Sequence, residues 1–144
     1  MKNNHEKSTD DLLEVLKHNP LDNALDEIEP EQNKCTLSDF LNDLIFRTNA
    51  KLPDVMKRSG LTKSYFYALT SGKKCNPSRD VLIQLCFGFQ MSLEDSQKFL
   101  KTMGAAMLYP RRRRDSIIIH ALENRLPLIE CNYNLSLYKE KELE

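Results

Sequence analysis

The chain has 144 residues, 40% of them hydrophobic, and a formal net charge of zero. That is the size of one ordinary domain and enough to bury a core. No apolar run approaches the ~18 residues of a membrane span, and Met1 to Asp10 is polar, without the apolar stretch of a signal peptide. A cytoplasmic protein with no membrane partner is therefore expected. Cys35, Cys75, Cys86 and Cys131 are widely spaced, and neither a CxxC pair nor a neighbouring histidine gives them the spacing of a zinc site. No metal is expected, and the cysteines read as reduced thiols, some of them in the core.

The zero net charge hides a pattern. Between Lys51 and Arg114 there are 13 cations against 4 anions, a net of +9. Between Met1 and Lys34 there are 9 anions against 4 cations, a net of −5. A basic middle between acidic ends points to an anionic partner for the middle, with ordinary solvated surface as the competing reading.

Apolar residues recur at intervals of three and four with little period-two alternation, which predicts an all-α fold. In chain order, Ser8 and Asp11 make a capping-box start for Leu12, Leu13 and Leu16. A second short pattern, Leu21, Leu25 and Ile28, ends at Pro30. Thr36 or Ser38 is expected to cap a helix carrying Phe40, Leu41, Leu44 and Ile45. Pro53 suits the first turn of the next helix, whose Leu52, Val55 and Met56 run to a left-handed stop at Gly60. Thr62 caps a third helix with Phe66 and Leu69 inward, stopping at Ser71-Gly72. Pro77-Ser78 opens a fourth, with Val81, Leu82, Leu85 and Cys86 inward and a stop at Gly88. Ser92 caps a fifth, with Leu93, Phe99, Leu100 and Met103, ending near Gly104. After Arg111 to Arg114 comes a stripe of Ile117, Ile118, Ala121 and Leu122. His120 on this helix reads as a core or boundary residue. Pro127 starts a last helix with Leu128, Ile129, Tyr133, Leu135 and Leu137. The expected architecture is a compact helical bundle with a central helix-turn-helix. Residues 1–35 form an acidic, partly flexible arm and 36–109 the helix-turn-helix domain. Residues 110–144 form a helical hairpin packed on that domain, with a charged tail from Lys139 that frays.

The informative stretch is LPDVMKRSGLTKSYFYALTSGKKCNPSRDVLIQLCFGFQMS, Leu52 to Ser92. Two short helices meet at Gly-Leu-Thr, and the second is followed by Gly-Lys-Lys and Pro. A three- to four-residue turn sets two helices at a steep angle, so that the second can enter the major groove of duplex DNA. This stretch resembles the XRE, or lambda-repressor-like (Cro-type), helix-turn-helix family over roughly residues 37–92. The resemblance implies a bundle of about five helices and a transcriptional regulator that often dimerises on palindromic sites. Carried over by position, it places Lys63, Ser64, Tyr67 and Ala68 toward base edges, with Thr62, Thr70, Lys73 and Lys74 near phosphates. Tyr65 joins this set as a contact to thymine methyls, sugars or phosphates, or to another protein. The chain departs from the family at Leu52, where Gln is frequent, and at Met56, where a small Ala is usual.

Arg111, Arg112, Arg113 and Arg114 stand at a helix start, where the dipole favours anions. A bound phosphate would relieve that conflict. DNA backbone contact, pairing with the acidic arm and simple solvation all remain open. No glycine-rich phosphate loop, GxSxG elbow or HExxH is present, so neither catalysis nor a cofactor is expected.

The expected function is sequence-specific binding of double-stranded DNA by a transcription regulator, with a homodimer possible and Ser116 to Tyr138 as its best candidate surface. The rival is an adaptor that keeps the fold and binds a protein through the aromatic third helix. The acidic stretch from Asp22 to Glu31 can lie over the basic face and weaken DNA binding until a protein partner removes it. Deleting Met1 to Lys34 is then expected to tighten binding in a gel-shift titration, and unchanged or weaker binding contradicts the idea.

Overall fold

The computed structural model describes Leu13, Glu14, Lys17 and residues 35–144. The chain divides into two units, Met1–Lys34 and Cys35–Glu144. In the first unit Leu13, Glu14 and Lys17 are helical, and Lys17 Nζ lies 3.9 Å from Glu14 one turn away. The caps and apolar positions expected at Ser8, Asp11, Leu12, Leu16, Leu21, Leu25 and Ile28 lie outside the described residues.

The second unit is all-helical. It comprises α1 (Thr36–Thr48), α2 (Leu52–Ser59), α3 (Lys63–Thr70), α4 (Arg79–Gly88), α5 (Leu93–Thr102), α6 (Arg113–Glu123) and α7 (Leu128–Leu137). Local chemistry explains most of these boundaries. The side chains of Thr62, Ser78 and Ser92 accept from the backbone N–H three residues on, at 3.2, 3.3 and 3.1 Å, closing the first turns of α3, α4 and α5. Pro53 sits in the first turn of α2, and Gly60 ends that helix at φ +70°. α1 starts differently from expectation: Cys35 occupies the cap position with no side-chain hydrogen bond, and the Ser38 hydroxyl instead donates to the Cys35 carbonyl at 3.0 Å. Asn49, at φ 51°, ends it.

The core forms around α4. Every residue from Val81 to Gly88 is buried, as expected of a helix that is apolar on all sides. Around it sit Leu37 and Leu41 of α1, Val55 of α2, Phe66 and Leu69 of α3, Phe99 and Leu100 of α5, Ile118 and Leu122 of α6, and Leu135 of α7. Side chains of this size contribute about 1.5–3 kcal/mol each on burial. Phe40 also stacks obliquely on Phe99, ring centres 5.0 Å apart, tying α1 to α5. Cys86 and Cys131 are buried, and burial pushes both thiols up to about 12. Cys35 and Cys75 are far apart in sequence but influence each other's titration, and the Cys75 thiol donates to the Gly72 carbonyl at 3.1 Å. Burial would raise Cys35, but the neighbouring Cys75 and Ser38 hold it below its ordinary value.

α4 stops at Gly88, as expected, and it is Gln90, at φ 52°, that takes the left-handed conformation beyond it. The reason for a glycine is close packing: a Cβ there would lie 2.9 Å from both the Val55 carbonyl oxygen and Ser59 Cβ. Two expectations are corrected. The tail does not fray, because Leu143 is buried and its backbone N–H and C=O pair with the Asn132 amide at 2.8 and 3.2 Å. His120 is exposed, beside Asn124, rather than in the core or at its boundary.

Gly88→Ala separates two opposing effects. Helix propensity alone favours alanine by about 1 kcal/mol. The clash with α2 backbone costs about 1–3 kcal/mol on top of that gain and prevails. The variant is expected to melt several degrees lower by circular dichroism, and a rise in melting temperature contradicts the packing role.

Candidate nucleic-acid interface

Helices α2 and α3 form the helix-turn-helix, and a set of polar contacts fixes the turn between them. Ser59, fully buried, donates to the Met56 carbonyl at 2.9 Å and accepts from Leu61 N–H at 3.2 Å. Gln84, the lone polar residue inside the apolar run of α4, donates to the Ser59 carbonyl at 3.1 Å. Arg58 Nε donates to the Gly88 carbonyl at 2.9 Å. The Gln84 and Arg58 bonds occupy the Ser59 and Gly88 carbonyls, which the ends of α2 and α4 leave without helical partners. At the far end of α3, Asn42 of α1 donates to the Thr70 carbonyl at 2.8 Å. Leu128 of α7 fills the space beside Gly60, within 3.1 Å of where a Cβ would stand. Arg58, Ser59, Gln84 and Asn42 were not among the residues singled out from sequence. Only Gln84, polar in an apolar stretch, carried a local signal.

Phe66 and Leu69 face inward with no exposure, so the rest of α3 faces out. Lys63, Ser64 and Tyr67 are exposed, while Tyr65, Ala68 and Thr70 are half-buried. Thr62 is exposed, but its oxygen is engaged as the helix cap. Lys73 and Lys74 stand exposed on the following turn, which closes through Lys74 N–H donating to the Ala68 carbonyl at 2.9 Å. Each tyrosine carries a lysine: Lys63 Nζ is 6.0 Å from the Tyr67 ring centre and Lys74 Nζ 5.4 Å from that of Tyr65. An ammonium over an aromatic face is held in place and keeps donors free. Residues two apart lie about 200° apart around a helix, so the two pairs stand on different flanks of α3, each with a cation held beside a ring.

The four arginines do not behave as one patch. Arg114 is bidentate to Asp80, at 3.0 and 2.9 Å, and its Nε donates to the Lys141 carbonyl at 2.9 Å. Its fork is thus filled from within the chain, a partner 34 residues away. Arg113 lies over the Tyr138 ring, 5.3 Å from its centre. Arg111 and Arg112 are exposed and in no salt bridge among the described residues. The expected conflict with the dipole of α6 is answered by Asp115 in its first turn. Asp115 accepts both ends of the Arg79 guanidinium, at 3.1 and 3.0 Å, and the Tyr109 N–H at 2.9 Å. The structure therefore gathers Thr62 to Lys74 on one helix and turn, and distributes the arginine run over separate duties.

No protein-family model, curated protein or solved structure matches the chain. Among the described residues no group of His, Cys, Asp and Glu could hold a metal ion. No helix among them is long and apolar enough to cross a membrane.

The Asp115 carboxyl is 3% exposed. Burial would raise its pKa, but the Arg79 guanidinium, the Tyr109 N–H and the nearby Arg112 outweigh burial and hold it below 3.8. A carboxylate lowered in the folded state adds stability above its unfolded pKa, and that stability is lost as pH falls through the folded value. Asp115→Asn is expected to cost about 3 kcal/mol at neutral pH, since it strands a partly buried arginine. Denaturant titrations should show the gap to the wild type closing below about pH 4, and a gap independent of pH contradicts the assignment.

Proposed function

We propose that this protein binds double-stranded DNA sequence-specifically through α3 and acts as a transcription regulator. The observation that carries the reading is the exposed face of α3 and its following turn, where Lys63, Ser64, Tyr67, Lys73 and Lys74 project outward from a buried Phe66-Leu69 base. Lys63, Ser64 and Tyr67 reach base edges, and Ala68 contributes apolar contact to a thymine methyl. Thr62, Tyr65, Thr70, Lys73 and Lys74 position the backbone. Arg111 and Arg112 hold further phosphates. Arg114 leaves this set because Asp80 occupies it, and Arg113 serves only insofar as it swings from Tyr138. The sequence resemblance to lambda-repressor-like proteins supports the same reading.

The second reading, a protein-binding adaptor on the same face, draws on one observation: Tyr67 is 42% exposed. Tyrosine is among the residues enriched where proteins meet.

The two readings separate in one experiment. The protein is incubated with sheared genomic DNA and excess non-specific competitor, and the retained fragments are sequenced. A shared motif is expected, with affinity for it falling by two or more orders of magnitude between about 50 and 200 mM salt if roughly six phosphates are engaged. Lys63→Ala/Tyr67→Ala should weaken that site by at least about tenfold while leaving the far-ultraviolet circular dichroism unchanged. Absence of any enriched motif, with or without Met1 to Lys34, moves the adaptor reading ahead.

A further inference from the structure

Three arginines of the second unit are half-buried, and two of them carry a carboxylate: Arg79 holds Asp115 and Arg114 holds Asp80. Arg58 does not. Its Nε donates to the Gly88 carbonyl at 2.9 Å, and its remaining N–H groups have no acceptor among the described residues. A guanidinium drawn partly out of water normally meets a counter-charge, because burying one unpaired is costly. A second cation comes to the same place. Arg125, in the turn between α6 and α7, donates from a terminal nitrogen to the Gln90 carbonyl at 2.9 Å. Gly88 and Gln90 are two residues apart at the end of α4, a span of no more than about 7 Å. Both arginines line one cavity of about 130 Å³, and no Asp or Glu among the described residues lines it with them. Most of the remaining wall is apolar, with Phe87, Met91, Leu122 and Leu126. Pro127, at the start of α7, lines it too, and that helix start has no side-chain cap. The Gly88 and Gln90 carbonyls, which would repel an anion, are the groups the arginines already cover.

An apolar wall with a few convergent polar groups is the make-up of a small-molecule site. The volume limits what enters. An apolar cavity of about 150 Å³ admits a benzene molecule, whereas drug-sized ligands need about 300 Å³ or more. We infer that this cavity binds a small monocarboxylic acid, its carboxylate shared by Arg58 and Arg125 and its apolar body of about six carbons set against Met91 and Leu126. Both halves of the ligand are required by the wall: the guanidiniums need an anion, and the apolar side chains need carbon. Arg58 stands in the last turn of α2 and Arg125 in the turn before α7, so the bound acid joins these two elements. Since α3 follows α2 across a short turn, the ligand sits where it can stiffen the helix-turn-helix. Binding itself does not depend on α3 reading DNA.

The test is carbon-13 methyl NMR of the full chain, whose five methionines include Met91 in the cavity wall. Benzoate and hexanoate are the probes. Either acid should move the Met91 signal and saturate with a Kd on the order of 0.1–1 mM. Benzyl alcohol has the ring without the charge, and inorganic phosphate the charge without the body. Each should bind at least about tenfold more weakly. Arg125→Gln, at an exposed position, should weaken both acids about tenfold or more and melt within about two degrees of the wild type without ligand. Arg47→Gln, an exposed arginine of α1 outside the cavity, should leave both affinities unchanged. A Met91 signal that neither acid moves at about 10 mM overturns the proposal. So does benzyl alcohol or phosphate binding as tightly as the acids, or full affinity retained by Arg125→Gln.

Discussion

Helix α2 lies where it does because Gly88 has no side chain. Its backbone at Val55 and its Ser59 rest on the last turn of α4 at a distance that a methyl group would violate. Arg58 and Gln84 then fasten the two helices through the carbonyls of Gly88 and Ser59. The position of α3 follows from this contact, because only Gly60 and Leu61 intervene before Thr62 caps it. Thus the outward face of α3 is set by a glycine and a glutamine that never approach it. Breaking a buried polar bond of this kind is costly, which fastens the turn through Gln84 Nε2 and Arg58 Nε; the Gln84 Oε1, also buried, has no partner among the described residues.

The basic middle of the chain resolves into two populations. Arg58, Arg79 and Arg114 are structural: each spends its guanidinium on carbonyls or carboxylates of the same unit. Arg79 with Asp115 and Arg114 with Asp80 join the start of α4 to the start of α6. Arginine suits this work because its planar fork matches a carboxylate with two parallel bonds. The lysines are the opposite. Lys63, Lys73 and Lys74 project from α3 and its turn, in no salt bridge among the described residues. The charge excess counted along the sequence therefore overstates what is offered to an anion.

Much of the second unit was legible from local chemistry. Thr62, Ser78 and Ser92 announce helix starts through their own hydroxyls, and Gly60 an end through its freedom to take positive φ. The inward faces of α2 and α3 follow from the spacing of Val55, Phe66 and Leu69. What escaped involves distant partners. Gly88 announces the end of α4 but not that α2 must lie against it, because nothing nearby in sequence signals that contact. Arg114 reads as free until Asp80 is brought to it, and the tail reads as solvated until Asn132 and Arg114 reach it. On the candidate site the exposed residues of α3 were recognisable by periodicity. The lysine-over-tyrosine pairs were not: Lys63 and Tyr67 are one helical turn apart, but Lys74 meets Tyr65 only because the turn folds back. The inward and outward sides of α7 were not separable in the sequence, because apolar residues on both faces give no direction.

The strap formed by residues 139–144 has a practical side. Leu143 is buried, and Lys141 and Glu142 supply carbonyls to Arg114. A single proteolytic cut between Glu140 and Lys141 would part Leu143 and both of those acceptors from the helices at once. A preparation nicked there would be a mixture of differently stable molecules, not one protein with a variable fringe.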